Sequence, residues 1–174
     1  RLAFTTRTIS ALTCLNESLG PLRKGNFGIV FARPEVGKTT WLSHFVTHAA
    51  QFVDKPIIWL NNEQAGEEVK LRLYQSLFGV TIYELRQNRE RYNALYKEKT
   101  KNLIFLFDCA IIDRVTVESI ATQYAPSLIV IDQLDKVKGF KNDRDDLELT
   151  AVYQWARELS KEVAPLIGVC QASV

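Results

Sequence analysis

The nine residues 32–40 carry the clearest chemical signal in the sequence. It follows an apolar stretch and precedes one with helical periodicity, which is the setting of a phosphate-binding loop whose first Gly is replaced by Ala. In such a loop, backbone N–H groups and a helix N-terminus converge on phosphates. Gly37 lets the backbone approach a nucleotide, Lys38 reaches its β- and γ-phosphates, and the Thr39 hydroxyl ligates Mg²⁺. The predicted nucleotide-binding residues are Ala32, Arg33, Pro34, Glu35, Val36, Gly37, Lys38, Thr39 and Thr40.

An acidic residue at the end of another apolar run completes the predicted metal site. Residues 128–131 lead into Asp132. Such a strand usually lies next to the strand before the phosphate loop and aims its carboxylate at the water shell of Mg²⁺. We therefore predict Thr39 and Asp132 as the metal-binding residues, whereas Asp135, a little further along the chain, is expected to face solvent.

Hydrolysis of a phosphoanhydride also needs a group that orients or deprotonates the attacking water. The second apolar run leads into Glu63, which should lie at the carboxyl edge of a parallel sheet, where nucleotides bind. Glu67 and Glu68 are alternatives, but they fall inside the next predicted helix, where a solvated face is the simpler account. The last apolar run delivers Gln171 to the same edge, as a neutral donor suited to sensing a γ-phosphate. We predict Glu63, Lys38 and Gln171 as the catalytic residues.

These residues need a framework that brings them to one edge. Five short runs rich in Ile, Val, Leu and Phe do not alternate with polar residues, which is typical of strands buried on both faces of a parallel sheet. They are residues 27–31, 57–60, 103–107, 128–131 and 166–169. Helical periodicity or helical composition marks residues 38–53, 65–78, 89–101, 116–124 and 145–163. Thr81 and Glu84 predict the capping box of a further helix. The expected fold is a three-layer α/β/α domain, with a mainly parallel sheet flanked by helices on both faces.

Composition narrows the class of protein. The 174 residues, 47% of them hydrophobic, suffice for one domain with a substantial core, so we expect a single domain over residues 1–174. A net charge of +2 gives no overall basic field, so a nucleic-acid site would be a local cluster. No apolar run reaches the ~18–20 residues of a membrane span, and the N-terminus lacks the apolar core of a signal peptide. We expect a cytoplasmic protein with no membrane partner.

Taken together, these motifs resemble the RecA-like ATPase domain of the DnaB-type replicative helicases, including phage primase-helicases. The loop Ala32-Arg33-Pro34-x-x-Gly37-Lys38-Thr39 is similar to the family's phosphate loop, in which Ala-Arg-Pro replaces a Gly-rich start. Three further segments match the family's catalytic glutamate, Walker B strand and Ser-Gln segment: Asn62-Glu63, Ile131-Asp132-Gln133-Leu134 and Cys170-Gln171-Ala172-Ser173. Cys170 departs from the usual Ser. The resemblance covers roughly residues 9–174.

The resemblance implies a P-loop NTPase that hydrolyses ATP with Mg²⁺, assembles into a hexameric ring, translocates on single-stranded DNA and has primase among its candidate partners. The family's first DNA-contacting loop corresponds to a short basic stretch after the Asp132 strand. Its predicted DNA-binding residues are Lys136, Lys138, Lys141 and Arg144, beside Gly139, Phe140 and Asn142. Cations there would neutralise phosphates and give salt-dependent, sequence-independent binding. The alternative is a solvated charged loop.

Two elements of the family are expected beyond Gln171, namely the second DNA loop and the arginine finger that a neighbouring subunit supplies. The chain begins at Arg1 and contains no Met, which suggests a piece of a longer polypeptide, truncated at its C-terminal end. Without an arginine finger, worth roughly 10³- to 10⁵-fold in rate, it should hydrolyse ATP weakly by itself. Two other readings stay open: a RecA- or KaiC-like recombinase-type ATPase, and a nucleotide-binding assembly or loader module without turnover.

Overall fold

A computed structural model describes residues 12–140 and 145–172 of the chain. Its strands are β1 (Phe27–Ala32), β2 (Ile57–Asn61), β3 (Ile104–Asp108), β4 (Leu128–Asp132) and β5 (Leu166–Gln171). Its helices are α1 (Thr13–Leu19), α2 (Lys38–Ala50), α3 (Gly66–Phe78), α4 (Ile82–Gln87), α5 (Arg89–Thr100), α6 (Arg114–Tyr124) and α7 (Asp145–Glu162). The strands form one sheet in the order β1-β5-β4-β2-β3, and every neighbouring pair is parallel.

Each strand runs slightly past its apolar stretch because the residues that follow it, polar ones in all strands but β1, continue the hydrogen-bonded ladder. Asn61 at the end of β2 pairs with Asp132 on one side and with Asp108 on the other. Ala32 at the end of β1 pairs with Gln171. The carboxyl ends of all the strands therefore meet at one edge, and the polar residues at these ends occupy the last rungs of the sheet.

Two hydrophobic layers cover the two faces of the sheet. On one face, Ile57 and Trp59 pack with Leu42 and Val46 of α2 and with Leu73 of α3. The other face presents the alternate residues of the same strands, which pack against α6 and α7. Its buried members include Ile58, Leu60, Val117, Ala121, Val152 and Trp155. This arrangement confirms the predicted three-layer α/β/α fold.

Two sequence-based expectations about the sheet are wrong. The strand that carries Asp132 does not lie beside β1, because β5 is inserted between them. Burial on both faces holds for β2, β4 and nearly all of β5, but not for β1 and β3, because these are the outer strands and have a neighbour on one side only. In β1, Ile29 and Phe31 are 43% and 63% exposed.

Side-chain caps mark the first turns of α4 and α6. The Thr81 hydroxyl accepts a hydrogen bond from the Glu84 N–H at 3.2 Å, and the Glu84 carboxylate accepts one from the Thr81 N–H at 2.8 Å, so the predicted capping box is present. Helix α1 and a short 3₁₀ helix, Leu134–Lys136, were not predicted because each is too short to show periodicity. Among the described residues, none of the helices combines the length and hydrophobicity needed to traverse a bilayer.

Candidate active site

The phosphate-loop residues form an exposed turn between β1 and α2. Glu35 and Gly37 both have left-handed backbone angles, with φ of 61° and 93°. A Cβ on Gly37 would meet no atom within 4 Å, so a glycine is favoured here by its backbone conformation rather than by lack of space. Helix α2 starts at Lys38 with no side-chain cap and no acidic residue in its first turn. Its first N–H groups are therefore available to an anion.

The Lys38 side chain lies inside this turn and contacts its backbone. Its side chain is largely buried, and its ammonium group donates long hydrogen bonds of 3.4 Å to the carbonyls of Ala32 and Arg33. Thr39 is buried next to it, whereas the Thr40 hydroxyl is exposed and accepts a hydrogen bond from Nη1 of Arg72 at 3.1 Å. The loop thus holds a lysine, a hydroxyl group and uncapped backbone donors together, as a phosphate site requires.

The two predicted carboxylates face each other at the ends of neighbouring strands. Asp132 is fully buried, and among the described residues neither of its oxygens, nor Oε2 of Glu63, receives a hydrogen bond from a protein donor. Burial, followed by the negative charge of the neighbouring Glu63 carboxylate, raises the pKa of Asp132 to about 7. The charges of Lys38 and Lys136 lower that pKa without cancelling the rise.

This excess of buried negative charge fits a divalent cation. Asp132 offers oxygen ligands without competing donors, and carboxylate and hydroxyl oxygens suit Mg²⁺. Within residues 12–140 and 145–172 there is no group of three or more His, Cys, Asp or Glu side chains that could hold a metal unaided. Magnesium at this site would therefore take most of its ligands from phosphate oxygens and water, as it usually does.

Hydrogen bonds to Asp108 of β3 hold the turn that carries Glu63. The Asn61 amide donates to the Gln64 carbonyl at 2.5 Å and to Oδ1 of Asp108 at 3.0 Å, and the Gly66 N–H donates to Oδ2 of Asp108 at 2.8 Å. Asn61 is fully buried. A Cβ on Gly66 would lie 2.7 Å from Oδ2 of Asp108, so a larger residue here would have to displace this carboxylate. Asn61 and Asp108 hold both ends of the short segment that contains Glu63.

Gln171 is connected to the carboxylate site by a hydrogen bond with Gln133. Its Oε1 accepts a hydrogen bond from Nε2 of Gln133 at 3.0 Å, so the predicted sensor is tied to the residue that follows Asp132. Cys170 is buried and accepts a hydrogen bond from the Tyr153 hydroxyl at 3.5 Å. Its thiol therefore points into the core while Gln171 points to the site, since successive strand residues alternate between faces.

The alternatives to Glu63 do not enter this network. Glu67 and Glu68 are exposed on α3, as a solvated helical face predicts. The expectation that Asp135 faces solvent is wrong, because it is half-buried and its Oδ1 is shielded without a donor among the described residues. The 3₁₀ helix turns the chain inward here, and Leu134 packs directly over Gly168, where a side chain would clash with it.

The predicted DNA loop is described only in part. Lys136 and Lys138 are exposed, whereas Lys141 and Arg144 lie outside the described residues. Two hydrogen bonds fix the backbone of Lys138. The Lys138 N–H donates to the Ile112 carbonyl at 2.8 Å, and the Lys138 carbonyl accepts the Arg114 N–H at 2.9 Å. Phe140 packs on the Trp155 ring at 5.5 Å between centroids. It thereby anchors the loop to the core.

Several residues of the site are assigned no role of their own by the sequence. They are Asn61, Arg72, Asp108 and Gln133, together with the amide of Asn62. Each acts through a contact with a residue distant in the chain, and no local spacing marks such a contact. The only available signal was polar residues at the ends of apolar runs, which applies to Asn61 and Asp108.

Fold and site together define a P-loop NTPase with a parallel sheet. The AAA domain family matches residues 4–172, so the chain belongs to that family. Its relatives include the replicative DNA helicase DnaB of Buchnera aphidicola subsp. Acyrthosiphon pisum, 29% identical over 175 residues that cover 90% of this chain and 37% of that protein. DnaB of Haemophilus influenzae is 27% identical over 182 residues, which cover 95% of this chain and 39% of that protein. The resemblance to DnaB helicases is confirmed, and the chain spans little more than a third of these relatives' length.

The solved structures that share the fold include the following two. One is described as an ATPase domain, with a TM-score of 0.83 and 19% identity, covering 95% of this chain and 64% of that one. The other is described as a DnaB-like replicative helicase and its interactions with primase, with the same TM-score and identity, covering 95% of this chain and 43% of that one. Both agree with a RecA-like arrangement of strands and helices.

Proposed function

We propose that this chain is the nucleotide-hydrolysing core of a replicative DNA helicase, which binds ATP with Mg²⁺ and uses its hydrolysis to move along single-stranded DNA. The observation that carries the proposal is the pairing of the buried Asp132 carboxyl with the half-buried Glu63 carboxyl at the same sheet edge as the uncapped phosphate loop. Among the described residues, no donor reaches either oxygen of Asp132 or Oε2 of Glu63. Kinship with DnaB helicases supports it. The proposed setting is the cytoplasm of a bacterial or phage-infected cell.

Binding would begin at the phosphate loop. The ammonium group of Lys38 exchanges its two long hydrogen bonds to backbone carbonyls for shorter, charge-assisted ones to the β- and γ-phosphates. The N–H groups that begin α2 donate to phosphate oxygens. Thr39 and Asp132 would hold Mg²⁺, which supplies positive charge against the phosphates when bound. The metal ion would therefore offset the negative charge of the phosphates and of Asp132, while Lys38 and the N–H groups of α2 offset the rest.

Glu63 is the proposed general base. It accepts a proton from the attacking water while the water oxygen bonds to the γ-phosphorus and the bond to the leaving oxygen of ADP breaks. The braces from Asn61 and Asp108 fix the segment that carries this carboxylate, so little reorganisation is needed during the reaction. Gln171 is proposed to donate its amide to the γ-phosphate and so to register whether that phosphate is present.

Work on DNA would require contacts beyond the nucleotide. We propose that Lys136, Lys138, Lys141 and Arg144 bind DNA phosphates, and that copies of the protein form a hexameric ring in which a neighbour supplies an arginine finger. One DnaB-like relative is described together with its primase interactions. That relative makes primase a candidate partner here as well.

The decisive experiment compares two glutamates of the full-length protein. Glu63→Gln should keep ATP binding and lower kcat by about 10²- to 10⁴-fold, the range expected for loss of a general base. Glu67→Gln, an identical change on the exposed face of α3, should leave kcat within about twofold of the wild type. Normal hydrolysis by Glu63→Gln would disprove the assignment.

The DNA assignment has a separate test. Lys136→Ala and Lys138→Ala should each reduce the slope of log affinity for single-stranded DNA against log salt by about 1, because each removes one phosphate contact. Lys24→Ala, exposed before β1, is the control. Unwinding of forked DNA by the wild type supports a helicase, whereas strand exchange without unwinding identifies a recombinase. Turnover that is insensitive to single-stranded DNA favours a loader or assembly module.

A further inference from the structure

The asparagine before Glu63 ties together the two strands that carry the paired carboxyls. The Asn62 N–H donates to the Asp132 carbonyl at 2.8 Å. Its side-chain Oδ1 accepts the Gln133 N–H at 2.6 Å, and its Nδ2 donates to the Gln133 carbonyl at 3.5 Å. Asn62 therefore binds the backbone on both sides of the bond that follows Asp132, and it does so one residue before the proposed base.

The same glutamine continues the connection to the next strand. Gln133 is fully buried, and its Nε2 donates to Oε1 of Gln171 at 3.0 Å. Its Oε1 is buried without a hydrogen-bond donor among the described residues. An unpaired buried amide oxygen is costly, so apolar packing does not account for a glutamine at this position.

We propose that Asn62 and Gln133 form a relay that holds Glu63 opposite Asp132 and links Glu63 to Gln171, which makes both of them positioning residues for hydrolysis. The relay joins the ends of β2, β4 and β5 by side-chain hydrogen bonds. It rests on the proposed function, because positioning of Glu63 matters only if Glu63 activates water.

The relay acts on turnover rather than on binding. Its hydrogen bonds lie between β2, β4 and β5, whereas the phosphate loop and the start of α2 follow β1 and make none of these contacts. Loss of the Asn62 amide leaves the Gln133 N–H buried without its acceptor, so the chain around Glu63 and Asp132 must shift to satisfy it. A shift of about 1 Å at reacting groups can cost about a hundredfold in rate.

Gln133 would transmit a change at Gln171 to the turn that carries Glu63. A displacement of Gln171 by the γ-phosphate would be passed through the Gln133 amide to the backbone beside Asp132. From there it would reach Glu63 through the Asn62 clamp. The state of the γ-phosphate and the position of the base are thereby coupled without a contact between Gln171 and Glu63.

The first test measures steady-state ATP hydrolysis and affinity for a fluorescent ADP analogue in the full-length protein. Asn62→Ala should lower kcat by about ten- to a hundredfold, with KM and ADP affinity within about twofold of the wild type. The control is Asn26→Ala, since Oδ1 of Asn26 likewise accepts a backbone N–H, from Arg23 at 2.7 Å, at the opposite edge of the sheet. Wild-type kcat in Asn62→Ala, or a proportional loss of affinity, overturns the proposal.

The second test is a double-mutant cycle with Gln133→Leu, which removes the link to Gln171 and leaves the backbone that Asn62 binds. Gln133→Leu should lower kcat about tenfold at unchanged KM. If the two residues form one relay, the double variant should lose much less than the product of the single losses. Losses that multiply overturn the relay. Should Asn62→Ala fail to fold, Gln133→Leu alone decides by the same split between kcat and KM.

These outcomes are distinct from failure of the proposed function. If Glu63→Gln hydrolyses ATP normally, the proposed base is wrong whatever Asn62 does. If Glu63→Gln loses turnover and Asn62→Ala keeps it, the proposed function stands and the relay alone is rejected.

Discussion

The phosphate loop and the turn after β2 lie at the same sheet edge but are built in different ways. The phosphate loop is exposed from Arg33 to Gly37, and the Lys38 side chain crosses it with hydrogen bonds as long as 3.4 Å. The turn that carries Glu63 is held by side-chain hydrogen bonds of 2.5 to 3.0 Å from Asn61 and to Asp108.

The difference separates binding from hydrolysis. A phosphate can supply what the loop lacks, because Lys38 and the first N–H groups of α2 have no strong partners of their own among the described residues. The general base must be in place before the reaction, so hydrogen bonds within the protein must hold it there. We expect changes in the phosphate loop to weaken affinity, and changes around the turn to lower kcat.

The largest effect on affinity is expected from Lys38→Ala. Removal of the ammonium group takes away charge-assisted hydrogen bonds to the phosphates, which are worth about 1.5–3 kcal/mol each, so ATP affinity should fall by about a hundredfold. The measurement is equilibrium binding of a fluorescent ATP analogue by the full-length protein. Lys55→Ala, exposed before β2, is the matched control. Unchanged affinity and turnover in Lys38→Ala would remove the phosphate loop from the proposed site.

Gly66→Ala tests the turn after β2 that carries Glu63. Its new Cβ would lie 2.7 Å from Oδ2 of Asp108 and would push this carboxylate away from its partners, which should cost about 1–3 kcal/mol of unfolding free energy. Because the displaced brace holds Glu63, kcat should fall about tenfold while ATP affinity stays within about twofold. Gly28→Ala is the control, since a Cβ there meets no atom within 4 Å. If Gly66→Ala weakens affinity as much as kcat, the two regions are not functionally separate.

The same two regions differ in how far the sequence predicts them. The phosphate loop is continuous in the chain, so its type and spacing identify Gly37, Lys38 and Thr39 without a structure. The apolar runs likewise predict all the strands and the layered fold, because burial in a parallel sheet imposes a composition on each strand separately. The position of β5 between β1 and β4 is a matter of tertiary pairing, and no single run encodes it.

The braces around Glu63 could not be predicted for the same reason. Asp108 and Asn61 are far apart in sequence and meet only because β2 and β3 are neighbours in register. The Asn62 clamp depends on the pairing of β2 with β4. Asp135 was placed wrongly because the turn into the 3₁₀ helix depends on contact between Leu134 and Gly168, a residue on another strand.

The smallest effect concerns the ligand-free protein and follows from the pKa of Asp132, raised to about 7 mainly by burial and then by Glu63. The folded protein holds a proton that the unfolded chain releases near pH 4, so this group stabilises the fold at low pH and the stabilisation is lost as pH rises through 7. Between pH 6 and 8 the free energy of unfolding should fall by about 1 kcal/mol more in the wild type than in Asp132→Asn, as measured by urea unfolding. Asp54→Asn, whose carboxyl is exposed, should keep the wild-type slope. Equal slopes in the wild type and Asp132→Asn would mean that burial does not hold a proton on Asp132 in the folded protein.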